Sequence, residues 1–254
     1  MNPIIAEIYR TQQVQDAQGQ HYPLQGEIDP GEGELLFQLV QSDSSIRRTL
    51  EVGCANGLAS MHLCAALASR DQALHTIIDP FQSTDWHGVG ISNLRRSGYD
   101  HFELIEEPSE FALPRLAQSH AGEFDLAFID GWHTFDHTLL DLFYANRLVR
   151  VGGYIVVDDT TQPAVAKAVS YLSRYPAYKI LPGLAEAKYG SRRPQSWSRR
   201  MAKTLQRVVP PGLAGFVLPR VLYDRYYVRL LYPSMVVLQK ISTDERSWSW
   251  FDSF

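Results

Sequence analysis

The chain has 254 residues, 45% of them hydrophobic, with a formal net charge of −4. This suits one α/β domain, residues 1–254, with a sizeable core. Its two cysteines, Cys54 and Cys64, exclude a disulfide framework and a cysteine-based zinc site, and they suggest a reducing compartment. No apolar run approaches the ~18 residues that cross a bilayer, and the first residues lack a basic segment followed by an apolar run. A cytoplasmic protein is expected.

Residues 1–25 are polar and weakly patterned, which predicts a mobile or substrate-side segment. Gly26 to Gly33 reads as a loop whose Glu27 and Asp29 are substrate-side candidates, and Glu34 to Gln41 as a short amphipathic helix. Thr49 to Gly57 (T-L-E-V-G-C-A-N-G) then reads as a buried strand through Val52. The strand breaks at Gly53, turns through Cys54, Ala55 and Asn56, and enters a helix at Gly57. A strand, a glycine turn and a helix start make a nucleotide-binding corner. A dinucleotide fingerprint needs G-x-G-x-x-G, with its middle glycine against the pyrophosphate. Here that position is Ala55, and Glu51 ends the strand. The G-x-x-x-G spacing favours a ligand without phosphates.

Leu58 to Ser69 is expected to be helical and Ala73 to Asp79 a second strand. Asp79, before Pro80, stands where a carboxylate can accept the ribose hydroxyls of an adenosine. A loop with Trp86 and His87 leads to a helix at Ile91 to Ser97 and a third strand at His101 to Glu106. Ser109 and Glu110 open the next helix, which Ser109 can also cap. Phe124 to Asp130 is the fourth strand, Thr134 to Leu148 a helix, Val151 to Gly153 a turn and Tyr154 to Asp158 the fifth strand. Gln162 to Arg174 is a helix, Tyr178 to Leu181 a sixth strand and Ser234 to Ile241 a seventh. Such alternation implies a doubly wound, Rossmann-like parallel sheet with right-handed crossovers.

Glu51-Val52-Gly53-x-x-x-Gly57 resembles the first motif of the class I S-adenosylmethionine (SAM)-dependent methyltransferases. That resemblance implies a seven-stranded sheet in the order 3-2-1-4-5-7-6 with an antiparallel seventh strand. It also implies a SAM-binding turn made of Glu51, Gly53, Cys54, Ala55, Asn56 and Gly57. Asp79 and Pro80 would follow at the second strand end, and Ser109 and Glu110 at the adenine edge.

Asp130 ends the fourth strand, and Asp158 with Asp159 ends the fifth, its expected neighbour. Three carboxylates at adjacent tips would repel one another without a cation, and as hard oxygen ligands they suit Mg²⁺ or another divalent ion. The strings F-I-D-G-W-H and V-G-G-Y-I-V-V-D-D are similar to those of metal-dependent O-methyltransferases, both the catechol type and the bacterial sugar and macrolide type. The likeness spans about Leu35 to Thr161. It implies that Asp130, Asp158 and Asp159 hold the metal, that His133 is the general base, that Asp130 contributes to catalysis and that Trp132 packs on the cofactor. An imidazole suits proton removal near neutral pH. His137, four residues after His133, has ligand spacing, but the helix is expected to aim it away from the strand tips. The expected activity is methyl transfer to a hydroxyl of a sugar or secondary metabolite. The alternatives are a metal-independent methyltransferase acting on nitrogen or carboxylate, and a SAM-binding module without turnover.

Residues 183–232 read as an insertion between the last two strands, with ten basic and two acidic residues. Lid, dimer arm and membrane-surface element are the competing readings. A nucleic-acid partner is disfavoured because the rest of the chain is acidic and contains no RNA-binding module. A small hydroxyl-bearing acceptor, a homo-oligomer and a peripheral membrane contact through the insertion are the expected partners.

Overall fold

A computed structural model describes residues 2–26, 28–181 and 234–252. The insertion at 183–232 and Glu27 lie outside these described residues. The chain begins with α1 (Pro3–Thr11), whose start is capped by the Asn2 side chain. An antiparallel ribbon follows, β1 (Gln13–Gln15) with β2 (His21–Pro23). The expected mobile segment is therefore ordered. Ile5, Ile8 and Val14 supply the reason, since each is buried against the main core. Asp16 closes the ribbon by accepting from the backbone N–H groups of Gln18 and Gln20.

Helix α2 (Pro30–Ser42) starts earlier than the sequence pattern suggests. Asp29 is its N-cap, and Glu32 returns a side-chain bond to the Asp29 backbone N–H at 2.8 Å. This reciprocal capping box extends the helix into the predicted loop. It gives Asp29 a structural role in place of the expected substrate-side one.

The main sheet uses β3 (Arg48–Val52), β4 (Leu74–Ile78), β5 (Phe102–Ile105), β6 (Phe124–Ile129), β7 (Val149–Val157), β8 (Tyr178–Ile180) and β9 (Val236–Lys240). Their order is β5-β4-β3-β6-β7-β9-β8, with β9 antiparallel to both neighbours. This is the topology expected from the sequence. The predicted turn at Val151 to Gly153 is part of β7 instead, where a register shift against β6 absorbs the extra residues. Period-two alternation divides the core. Leu126, Phe128 and Val156 pack on one face with α2 and α3 (Leu58–Leu67), beside α4 (Val89–Arg96). Ala127, Ile129, Ile155 and Val157 pack on the other face with α5 (Ser109–Ser119), α6 (Phe135–Leu148) and α7 (Pro163–Leu172). Among the described residues no helix is long and apolar enough to cross a membrane.

Two buried polar devices hold the central strands in register. The carboxylate of Asp125 accepts from the backbone N–H groups of Arg47 and Arg48, both at 2.8 Å, and from Arg150 Nε at 2.5 Å. It ties the entry of β3 to β6 and β7. Below the glycine turn, His75 on β4 bridges Thr49 Oγ1 at 2.8 Å and Glu51 Oε2 at 2.7 Å across the β3–β4 pair. Replacing Asp125 with Ala leaves two strand-entry N–H groups and one guanidinium without their partner. The expected cost is about 1–3 kcal/mol, read as a lower urea midpoint at unchanged slope. An unchanged midpoint would remove Asp125 from this role.

Candidate active site

The carboxyl ends of β3, β4 and β6, with the first turns of α5 and α6, enclose a cavity of about 530 Å³. Gly26, Val52, Gly53 and Ala55 line one side, and Ile78, Asp79, Pro80, Phe81 and Trp86 another. Pro108, Ser109 and Glu110, with Asp130, Gly131, Trp132, His133 and His137, complete it.

The turn after β3 has its shape because Gly53 has no side chain. Its φ is +87°, and an added Cβ would stand 2.1 Å from the carbonyl oxygen of Asp130. Only glycine allows the turn to touch the tip of β6 in this way. Gly53 N–H donates to Ile78 O, and Asp130 N–H donates to Val52 O, both at 2.9 Å, so three strand tips are laced together. Ala55 adopts φ +47°, in the left-handed region that costs an alanine about 1–2 kcal/mol. Its backbone is held on both sides. Ala55 N–H donates to Asp79 Oδ2 at 2.9 Å, and Gln82 Nε2 donates to Ala55 O at 2.8 Å.

Asp79 therefore does more than face a ligand. Its Oδ2 also accepts from Cys54 N–H at 3.0 Å and Gln82 Nε2 at 3.1 Å, while Oδ1 accepts from Phe81 N–H at 2.8 Å. It is buried, lines the cavity and keeps acceptor capacity on Oδ1.

Of the residues expected in the cofactor turn, Gly53 and Ala55 line the cavity; Glu51, Cys54, Asn56 and Gly57 do not. Glu51 points off the opposite face of β3, into the buried network with His75 and Ser60. Cys54 Sγ lies 3.3 Å from Ser60 Oγ, and burial beside Glu51 pushes its thiol pKa well up. Asn56 turns to the N-terminal segment, where its Oδ1 accepts from Gln25 N–H at 2.8 Å. Gly57 packs on Gly90. These four residues build the turn from behind. The expected positions Asp79, Pro80, Ser109, Glu110 and Trp132 all line the cavity. Pro108 is the N-cap of α5, so Ser109 occupies its first turn and does not cap it.

At the β6 tip, Asp130 and His133 meet Asp159 from the end of β7. His133 Nε2 is 3.1 Å from Asp130 Oδ1, and its Nδ1 is 3.5 Å from Asp159 Oδ2. Each of the three offers a ligand atom within 4.8 Å of the others. Asp158, expected with them, does not belong to this group. Asp159, past the end of β7, turns at φ +52° away from the strand path, and Asp158 Oδ1 accepts from the Asp159 backbone N–H at 2.7 Å. His133 stands where the third carboxylate was expected. Asp158 nonetheless stays close enough to feel Asp130, Glu32 and Asp159. Burial and these charges push its carboxyl far above the usual range, and burial also raises Asp130 and Glu32. His133 is held above its ordinary value, first by the hydrogen bond to Asp130, against the opposing effect of burial.

Gln162 was not singled out in the sequence. Its Nε2 donates to Asp159 Oδ2 at 2.8 Å and lies 3.2 Å from His133 Nδ1. It steadies Asp159, which sits at φ +52°. Gln82, Phe81 and Trp86 were likewise missed as site residues; a polar or aromatic side chain in a loop carries no periodic signal. His137 lines the cavity beside Trp132 but is bonded to Thr134 Oγ1 at 2.8 Å and lies outside the converging group.

Residues 50–160 match the family model described as a methyltransferase domain. No curated protein sequence matches the chain significantly. Solved structures share the fold. A methyltransferase from Podospora anserina, bound to SAH (S-adenosylhomocysteine), aligns at 16% identity and TM-score 0.59, covering 94% of this chain and 88% of its own. An O-methyltransferase from Bacillus cereus, also with SAH, aligns at 17% and 0.57, covering 71% and 83%. The O-methyltransferase TomG of Streptomyces achromogenes, involved in tomaymycin synthesis and bound to SAM, aligns at 22% and 0.52, covering 61% and 73%. The stretch matched by the methyltransferase-domain model runs from β3 through the glycine turn to just past β7, and the structural relatives share the fold.

Proposed function

We propose that this protein is a divalent-metal-assisted O-methyltransferase that uses SAM to methylate a hydroxyl of a small molecule, a sugar or a secondary metabolite. The observation that carries the reading is the convergence of Asp130, His133 and Asp159, of which Asp130 and His133 line the cavity beside the glycine turn. Two carboxylate oxygens suit Mg²⁺ or Mn²⁺, with the His133 imidazole beside them to take a proton. The neighbouring acids Asp158 and Glu32 are pushed up by burial and by the carboxylates near them, which marks how many carboxyls crowd this point. The O-methyltransferase names of two structural relatives agree with this reading.

When bound, SAM supplies an electrophilic methyl on a sulfonium, and a divalent ion supplies positive charge that lowers a hydroxyl pKa. The protein's own residues do the rest. Asp130 and Asp159 would hold the ion and so orient the acceptor, and His133 would take the hydroxyl proton as the oxygen accepts the methyl group. Asp79, Gln82 and Gly53 fix the turn that positions the donor, so the two reactants are aligned before reaction. Phe81, Trp86 and Trp132 wall the cavity and limit water.

Removing divalent ions with EDTA should abolish turnover, and Mg²⁺ or Mn²⁺ should restore it. Carboxyls held protonated below their raised pKa values must lose those protons to accept a cation. Asp130, raised to about 6, is the ligand that protons would block, so apparent Mn²⁺ affinity measured by calorimetry should weaken as pH falls through about 6. Full activity in EDTA would leave a metal-independent methyltransferase as the reading. A second outcome separates two roles for one imidazole. His133→Ala should lower kcat by about 10²–10⁴ while Mn²⁺ still binds. Loss of Mn²⁺ binding in that variant would make His133 a ligand and not the base.

A further inference from the structure

The side chain of Gln162 is not used by its own helix. Gln162 is the N-cap of α7, a position where Ser, Thr, Asp or Asn commonly accepts from first-turn N–H groups. Its side chain makes no such bond. Instead its Nε2 lies 2.8 Å from Asp159 Oδ2 and 3.2 Å from His133 Nδ1. The backbone supports that reach, because Gln162 N–H donates to Asp159 O at 2.8 Å and closes the turn after β7.

These contacts decide where the His133 proton lies. An ionised carboxylate only accepts, so the Gln162 group facing Asp159 is the N–H₂ and not the carbonyl oxygen. An N–H₂ has two hydrogens. The second can serve His133 Nδ1 only if that nitrogen carries a lone pair. The other end of the ring gives the same answer. Nε2 lies 3.1 Å from Asp130 Oδ1, an acceptor, so Nε2 carries the hydrogen. The opposite tautomer would set acceptor against acceptor at Asp130 and donor against donor at Gln162. Each carboxylate keeps its second oxygen for a cation.

We propose that Gln162 is a positioning residue that keeps His133 Nδ1 unprotonated, so that Nδ1 is the atom that takes the hydroxyl proton. The inference deepens the proposed hydroxyl methylation and rests on its use of His133 as the base. The acceptor hydroxyl displaces the Gln162 N–H from Nδ1. Its proton passes to the Nδ1 lone pair, and the O–H electron pair stays on the oxygen that accepts the methyl group. The new Nδ1–H then faces Asp159 Oδ2, 3.5 Å away.

Long-range ¹H–¹⁵N spectra of histidine-labelled protein test it, recorded without metal or SAM as pH is raised until the shifts stop changing. His133→Ala identifies the His133 resonances. Wild type should carry its proton on Nε2, with a bare Nδ1 that accepts a hydrogen bond. Gln162→Met keeps the length and removes the amide, so the Nδ1 resonance should move to that of a nitrogen accepting no bond. Gln162→Glu sets a carboxylate against Nδ1. It should draw the proton to Nδ1 and lower kcat by about 10²–10⁴, the scale of losing a general base, while Mn²⁺ still binds. A merely structural glutamine would move neither resonance nor proton. Melting curves identify a variant that fails to fold, and Gln162→Met keeps the test open if Gln162→Glu does. A wild-type proton on Nδ1, or an unmoved Nδ1 resonance in folded Gln162→Met, overturns the inference. So does full kcat in folded Gln162→Glu with its proton on Nδ1. Full activity in EDTA removes the metal from the proposed function and leaves this inference standing. Full turnover in His133→Ala removes the base and this inference with it.

Discussion

The architecture depends on one close approach. The turn after β3 lies against the carbonyl of Asp130, in a gap where even a methyl group does not fit. That contact does two things together. It lets the turn curl back over the tips of β3 and β4, where Asp79 gathers its backbone N–H groups. It also places the tip of β6 at the floor of the same cavity, so the glycine turn and the residues that follow β6, Asp130 to His133, share one space. Parallel sheets gather ligands where their order reverses, outside the carboxyl ends of the strands. Gly53 and Asp130 stand at that reversal, between β3 and β6.

Charge organises the second half of the site. Five acids, Asp29, Glu32, Asp130, Asp158 and Asp159, come from three separate elements and influence one another. Such a group is costly in an empty, water-poor pocket. Part of the cost is met locally: Glu32 closes a helix cap, Asp158 accepts from the backbone beside it, and Gln162 donates to Asp159. His133 lies between Asp130 and Asp159, with its Nε2 3.1 Å from one and its Nδ1 3.5 Å from the other. The arrangement suits a cation and a proton acceptor at the same point, which is what hydroxyl methylation asks of a protein.

Much of this was legible in the sequence, for identifiable reasons. Strand order and the antiparallel last strand follow from the alternating pattern together with the family likeness. Asp130 and Asp159 were visible because strand ends are marked by the switch from an apolar run to a carboxylate, and His133 because of the family likeness of F-I-D-G-W-H. What failed were assignments that depend on which side a residue faces. Glu51 looked like a cofactor contact from its place before the glycine, yet strand alternation turns it to His75. Asp158 and Asp159 read as equivalent until φ +52° at Asp159 separated them. The N-terminal ribbon escaped notice because three buried apolar residues spread over ten positions carry little periodicity. Gln82 and Gln162 act through side-chain amides that link Ala55 to Asp79 and reach Asp159 and His133, and an amide in a loop carries no periodic signal.

The central claim is that Asp130 and Asp159 hold a divalent ion at the floor of a SAM-binding cavity. A crystal structure of the protein grown with SAH and Mn²⁺, with anomalous data at the manganese edge, tests it most directly. The account predicts an anomalous peak at bonding distance from carboxylate oxygens of both Asp130 and Asp159, with SAH on the turn at Gly53 to Ala55. SAH bound there with no manganese at those carboxylates would contradict it.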